Sequence, residues 1–344
     1  MNDTFILKKD HLTGFLRRLK KAYRLVAPVK NRHGDTLFTE IVSIDATAID
    51  LENQAQSSVK PFLFPQEEVL FTYSTSSHED YHFKPDGNSV PTVYFGLRSC
   101  DLSAILYMDV AFSQAGRDPY YLQKRKNAIL VSLGCNNPFE NCFCNATKNG
   151  PFLEYGFDLQ LTDLGDRYFV EVGRAQGQEI IDTLSHFFSP AGDTDKKAQY
   201  QAFLEARGNF QQFVHVDQAL KRLAAGDVPN TLWADLSLRC QDCAGCAYIC
   251  PTCVCFTIKD KKLTKDSGAR IRSWDACTFS GFTRMAGGHN PVDPRTQAIR
   301  KRFLHKMLYD PKKHGRPSCV GCGRCVNMCF GGVDIIRFIN RLCE

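Results

Sequence analysis

CQDCAGCAYICP, residues 240–251, and CVGCGRCVNMC, residues 319–329, decide how the last third of this chain folds. Each places its cysteines as C-x2-C-x2-C-x3-C: Cys240, Cys243, Cys246 and Cys250, then Cys319, Cys322, Cys325 and Cys329. This is the spacing by which thiolates hold 4Fe-4S clusters in bacterial-type ferredoxins. Three close thiolates cup one cube, and the fourth projects away to the other cluster. The spacing therefore predicts one centre on Cys240, Cys243, Cys246 and Cys329, and another on Cys319, Cys322, Cys325 and Cys250. Pro251 follows the first run as the signature expects, whereas Phe330-Gly331-Gly332 follows the second, where glycine turns the chain instead. Zinc ribbons lack the second consecutive x2 gap, and two such runs in one chain point to electron transfer.

Working outward, 344 residues exceed what a bare two-cluster ferredoxin needs. The reading divides the chain into a mixed α/β domain over 1–190, a helical linker over 191–235 and an all-α ferredoxin-like domain over 236–344. In the first, HLTGFLRRLKKAYRLVAPV from His11 sets Leu12, Phe15, Leu16, Leu19 and Tyr23 at helical spacing, which predicts an amphipathic helix stopped before Pro28. TLFTEIVSI, PTVYFGL, AILVSLG and YFVEVG read as strands, with helices around Leu102–Phe112 and Gln178–Phe188. The linker carries helical patterns through Phe203 and Phe213 and over Val216–Ala225, and the ferredoxin-like domain has its longest helix around Thr296–Leu308.

A third constellation is Cys100, after YFGLR, with Cys135, Cys142 and Cys144, after AILVSLG. If the two strands are neighbours, all four thiols meet at one sheet edge, where an α/β domain places its cofactor. A third 4Fe-4S cluster extends the electron path. A structural zinc ion on the four cysteines, leaving only the C-terminal pair redox-active, is the competing reading. Cys253, Cys255 and Cys277 have the apolar neighbours Val254, Phe256 and Trp274 and read as buried side chains shielding the clusters, while Cys343 reads as a bystander.

The N-terminus lacks the apolar core of a signal peptide and no run is long enough to span a membrane, so the expectation is a cytoplasmic, reducing setting in which thiols bind metal rather than pair. The formal charge of +6 would be cancelled by three clusters of about −2 each. Its basic residues are dispersed, without a nucleic-acid reading motif. Neither GxGxxG nor a P-loop is present, so the chain is not expected to bind a nucleotide itself. His289 and His305 have no second base or nucleophile to work with and read as packing or capping groups. Tyr120 and Tyr121 read as a partly buried turn or as interface residues.

FGLRSCDLSAI from Phe95, NCFC from Asn141, GFDLQLTDLGD from Gly156, CPTCVCF from Cys250, WDAC from Trp274, AGGHNP from Ala286 and CVGCGRC from Cys319 together resemble the iron-sulfur beta subunit of cytoplasmic sulfhydrogenases. The corresponding iron-sulfur subunit of anaerobic sulfite reductases looks like the same family. The resemblance runs from about residue 5 to the end. It implies a non-catalytic electron-transfer subunit in a hetero-oligomer, relaying electrons between a diaphorase subunit that binds flavin and NAD(P) and a separate catalytic subunit of hydrogenase, sulfite reductase or heterodisulfide-reductase type. It also implies a cluster on Cys100, Cys135, Cys142 and Cys144.

Overall fold

The computed structural model describes residues 3–77, 80–85, 87, 89–114, 116–292 and 295–344. Its strands are β1 (Thr4–Lys8), β2 (Arg24–Lys30), β3 (Thr36–Glu40), β4 (Glu67–Ser77), β5 (Asp80–Pro85), β6 (Thr92–Leu97), β7 (Ala128–Leu133), β8 (Leu159–Asp163), β9 (Arg167–Val172), β10 (Phe188–Pro190), β11 (Phe256–Lys262) and β12 (Ser267–Trp274). The helices are α1 (Leu12–Ala22), α2 (Lys60–Leu63), α3 (Ser99–Ser113), α4 (Pro119–Lys126), α5 (Ala175–Thr183), α6 (Asp193–Gly208), α7 (Val216–Ala225), α8 (Asn230–Arg239), α9 (Gly245–Tyr248), α10 (Arg295–Leu304), α11 (Asp310–His314), α12 (Arg324–Met328) and α13 (Ile335–Cys343).

An eight-stranded sheet in the order β10-β1-β9-β8-β7-β6-β2-β3 organises the N-terminal part. Its middle is parallel, β2 to β6, β6 to β7 and β7 to β8. Helices cover both faces, which is why TVYFGL and AILVSL are buried at every position rather than at alternate ones. Alternation instead sorts side chains between two cores. Val93, Phe95, Ile129 and Val131 face Phe15 and Leu19 of α1, while Tyr94, Leu130 and Val26 face Leu102, Ile105 and Met108 of α3.

The N-terminal amphipathic helix forms but ends at Ala22, and the expected run up to Pro28 is instead strand β2. Leu25, Val26 and Ala27 are fully buried in the sheet, and that burial outweighs the helical spacing that Tyr23 and Arg24 continue. Helix α6 passes through Phe203 and stops at Gly208, leaving Phe213 outside any helix and exposed. Tyr121 is fully buried on α4, and the Tyr120 hydroxyl donates to the Leu70 carbonyl.

The region 236–344 is not all-α. Strands β11 and β12 form a hairpin inside it, and β12 pairs with β4 to make a four-stranded sheet in the order β11-β12-β4-β5. The hairpin hides in the sequence because edge strand β11, FTIKDKK, is exposed throughout and so heavily charged that it reads as loop. Lysines on an edge strand discourage pairing with another chain. Buried Arg272 of β12 pairs with Glu68 of β4 and with Asp118, stitching the hairpin to the N-terminal part. The remaining helices pack around a stack of Trp233, Phe338 and Phe303, with Phe303 and Phe338 centroids 4.4 Å apart.

Candidate iron-sulfur centres

Helices α9 and α12 each start within a cysteine run, after a left-handed turn at Ala244 and Gly323 respectively. Those turns curl each run round so that its thiols face a common hollow. The first hollow is lined by Cys240, Cys243 and Cys246 of one run and Cys329 of the other. The second is lined by Cys319, Cys322 and Cys325 together with Cys250. Each run thus sends its last cysteine to the wall of the other's hollow.

Polar groups left over in the walls match an anionic, hydrogen-bond-accepting occupant. Thr278 Oγ1 and Arg302 Nε are buried without a hydrogen-bond partner, and both residues line the first hollow. Arg302 also lines the second, as does Cys246, so the two hollows share a wall. Lys306 lines the second hollow, where its Nζ donates to Thr252 Oγ1 at 3.1 Å. A five-residue π-helical turn, His305–Tyr309, follows α10 and carries Lys306 inward. Among the described residues neither Arg302 nor Lys306 has a carboxylate in ion-pair contact, although both are buried. Burial works against their charge, yet attraction to nearby cysteine sulfurs prevails and raises both: Cys246 and Cys325 for Arg302, Cys250 and Cys253 for Lys306. Thiolate ligands on iron, whose net cluster charge is negative, would supply the missing counter-charge. The residues present therefore fit two 4Fe-4S clusters.

Strands β6 and β7 are parallel neighbours, so Cys100 and the loop carrying Cys135, Cys142 and Cys144 both follow strand ends on the same side of the sheet. Cys100 opens α3, shortly after a sheet irregularity at Gly96, whose φ is +75°. Cys135, Cys142 and Cys144 lie on the loop after β7, and all four are buried. Cys100 is within electrostatic reach of Cys142 and Cys322, and Cys144 within reach of Cys135, Cys142 and Cys322. The group therefore abuts the second hollow, with Phe143 from its loop in the wall. Gln54 Nε2 reaches both, at 3.8 Å from Cys142 Sγ and 2.9 Å from the Cys322 carbonyl oxygen. Among the described residues no three His, Cys, Asp or Glu side chains are gathered to hold a single ion.

Burial pushes the Cys142 and Cys319 thiols up to about 12 and Cys240 up to about 11, so without metal these groups are protonated at neutral pH. Binding a metal must displace those protons. Cys250 is the opposite case: a hydrogen bond from Cys253 holds it down, burial opposes, and Lys306 adds to the effect. Cys253 thus supports the thiolate of Cys250, and Cys277 does the same for Cys255, which is lowered to about 7. Cys343 lies apart, its Sγ 3.7 Å from the His215 carbonyl oxygen. His305 pairs with Asp310 at 3.4 Å when protonated, and the His289 carbonyl accepts from Met285 N–H.

The cations were not foreseen from sequence. Arg302 and Lys306 stand four apart in KRFLHKM, among the apolar residues Ile299, Phe303 and Met307, and charge on a buried helix face was the available signal. Lys60 in VKPFLF gives only a lone cation in an apolar run.

A model of the 4Fe-4S dicluster domain matches residues 239–333. Over 339 residues, 98% of this chain and 98% of the relative, the sequence is 29% identical to sulfhydrogenase 2 subunit beta of Pyrococcus furiosus. The chain is homologous to that protein over nearly its whole length and carries a 4Fe-4S dicluster domain. Among the described residues no helix is long and apolar enough to cross a membrane.

Proposed function

We propose that this sulfhydrogenase beta-subunit homologue is the iron-sulfur electron-transfer subunit of a multi-subunit oxidoreductase. It works between a diaphorase subunit that binds flavin and NAD(P) and a separate catalytic subunit of hydrogenase, sulfite reductase or heterodisulfide-reductase type. The observation that carries the reading is the exchange of Cys250 and Cys329 between two thiol-lined hollows that share Cys246 and Arg302.

In this reading Cys240, Cys243, Cys246 and Cys329 hold one 4Fe-4S cluster and Cys319, Cys322, Cys325 and Cys250 a second. Cys100, Cys135, Cys142 and Cys144 hold a third, beside the second. When bound, each cluster accepts and passes on a single electron. The chain's own part is to hold the three sites in series, keep water from the inner two and offset the cluster charge with Arg302 and Lys306. At the outer end Cys243 is exposed, and Phe330, in the wall of the first hollow, is 80% exposed, so this hollow opens toward a partner. Domain limits near 190 and 235 and a cytoplasmic setting are part of the same reading.

Metal analysis and low-temperature EPR of anaerobically purified protein test it. About twelve irons per chain and reducible 4Fe-4S signals are expected. About eight irons with one zinc would leave the N-terminal cysteines a structural site. Protein without iron would end the proposal. The proteins that copurify identify the diaphorase and the catalytic partner.

A further inference from the structure

Lys60 belongs to α2, some 190 residues before the cysteine loop it touches, yet its side chain is buried with the residue only 2% exposed. Its Nζ donates to the carbonyl oxygens of Tyr248 at 3.1 Å, Cys250 at 2.9 Å and Cys253 at 3.1 Å. These three bonds use all the donors an ammonium has. Trp274 closes the site with its ring centroid 3.8 Å from Nζ, and the Trp274 indole is itself fixed by donating to the Phe64 carbonyl at 3.1 Å. Among the described residues no carboxylate pairs with Lys60, so its hydrogen-bond partners are neutral carbonyls and a π-face. A buried ammonium solvated this way still lacks a counter-ion. The neighbouring side chain placed to carry negative charge is the thiol of Cys250, in the wall of the second hollow. Lys306 approaches the same turn through Thr252, so two cations that repel one another grip the turn around Pro251. A latch alone would not need that charge, since neutral donors could hold the same three carbonyls.

We infer that Lys60 is a positioning cation for the iron-sulfur centre of the second hollow, fixing the backbone that presents Cys250 and favouring the centre's reduced form. The inference rests on the proposed reading of that hollow as a cluster site. The main chain held by Lys60 includes the cluster-bearing residue itself, and a fixed positive charge beside a cluster stabilises the added electron.

EPR-monitored redox titration of the full-length, anaerobically purified protein tests this with Lys60→Gln and Lys60→Arg. Lys60→Gln keeps donors and removes the charge. It is expected to retain wild-type iron while one midpoint falls by an amount equal to at least a tenfold change in the oxidised-to-reduced ratio, ~59 mV for one electron. Lys60→Arg should return that midpoint to near the wild-type value, the others staying in place. An unchanged midpoint in Lys60→Gln, or the same fall in Lys60→Arg, overturns the inference. If Lys60→Gln loses the centre, retention in Lys60→Arg upholds the role of charge and loss in both refutes it. Wild-type protein with no reducible iron would instead sink the cluster assignment, whatever the variants do.

Discussion

Asp101, one residue after Cys100, forms a buried ion pair with Arg324, one residue before Cys325, at 2.7 Å. Arg324 Nη2 also donates to Asp101 Oδ2 at 3.1 Å, and its Nε donates to the Ala55 carbonyl at 2.8 Å. Both side chains are almost wholly shielded from solvent, so neither can fall back on water if the other is removed. Through this pair the N-terminal cysteine group and the second hollow share one charged brace.

Asp101→Ala therefore leaves a buried, uncompensated guanidinium. A loss of about 3–5 kcal/mol is expected, read from urea unfolding of the anaerobic protein. The double variant Asp101→Leu with Arg324→Met removes both charges and should regain much of that loss. If Asp101→Ala alone is neutral, the brace is not structural.

Gly321 sits where the two cysteine groups meet, and the Phe143 N–H donates to its carbonyl at 2.8 Å. Its φ is +66°, and an added Cβ would stand 2.6 Å from the backbone of Cys144. Main chain cannot rotate out of the way as a side chain does. Gly321→Ala should cost on the order of 1–3 kcal/mol from backbone conformation alone and push the Cys142–Cys144 loop off the second cysteine run. Metal content at the N-terminal site, compared with wild type, reports the displacement. Unaltered metal and stability would show that the loop tolerates the shift.

Cys142→Ser separates the two readings of the N-terminal cysteines. Iron should fall by about four per chain if they hold a 4Fe-4S cluster, with the C-terminal signals kept. Loss of zinc with iron unchanged would mark the site as structural.

How much of this could be read from the chain varies with the range of the interaction. Both cysteine runs carry their geometry in local spacing, so the crossing of Cys250 and Cys329 was foreseeable; the structure then places each in the other's hollow. That β6 and β7 are neighbours is suggested by strand pattern and shown by pairing, and it sets Cys100 and the Cys135–Cys144 loop on the same side of the sheet. The hairpin β11–β12 was hidden because its outer strand has no buried face, and its inner strand finds a partner in β4, about 200 residues away. Lys60 and Arg324 were hidden for a similar reason. Their roles come from groups more than 180 residues distant in sequence, and no local pattern encodes such a contact.

Cys243→Ser and Cys322→Ser test the outer and inner positions of the proposed relay. Each should remove one cluster and reduce electron transfer between the partner subunits to background, while the diaphorase partner keeps its own activity with an artificial dye. Cys322 is within electrostatic reach of the N-terminal thiols, so its loss should also disturb their spectrum; Cys243, exposed at the far hollow, should not. Full turnover of the complex in either variant contradicts a series arrangement.

Asp50 offers a pH test of the loop that carries Gln54 to the Cys142 site. It is 9% exposed; burial alone would raise its carboxyl, but hydrogen bonds from Thr36, from Asn53 through backbone and amide, and from the Glu52 N–H outweigh this and hold it at about 2. A carboxyl depressed on folding contributes stability that is complete above its unfolded value of 3.8 and is lost as pH falls toward about 2. Asp50→Asn should therefore lower stability by about 1–2 kcal/mol at neutral pH. The gap to wild type, followed by urea midpoints, should stay constant from pH 7 down to about 4.5 and narrow only below about 4. A gap that closes between pH 7 and 5 would mean that a group titrating near neutrality, and not this carboxylate, anchors the loop.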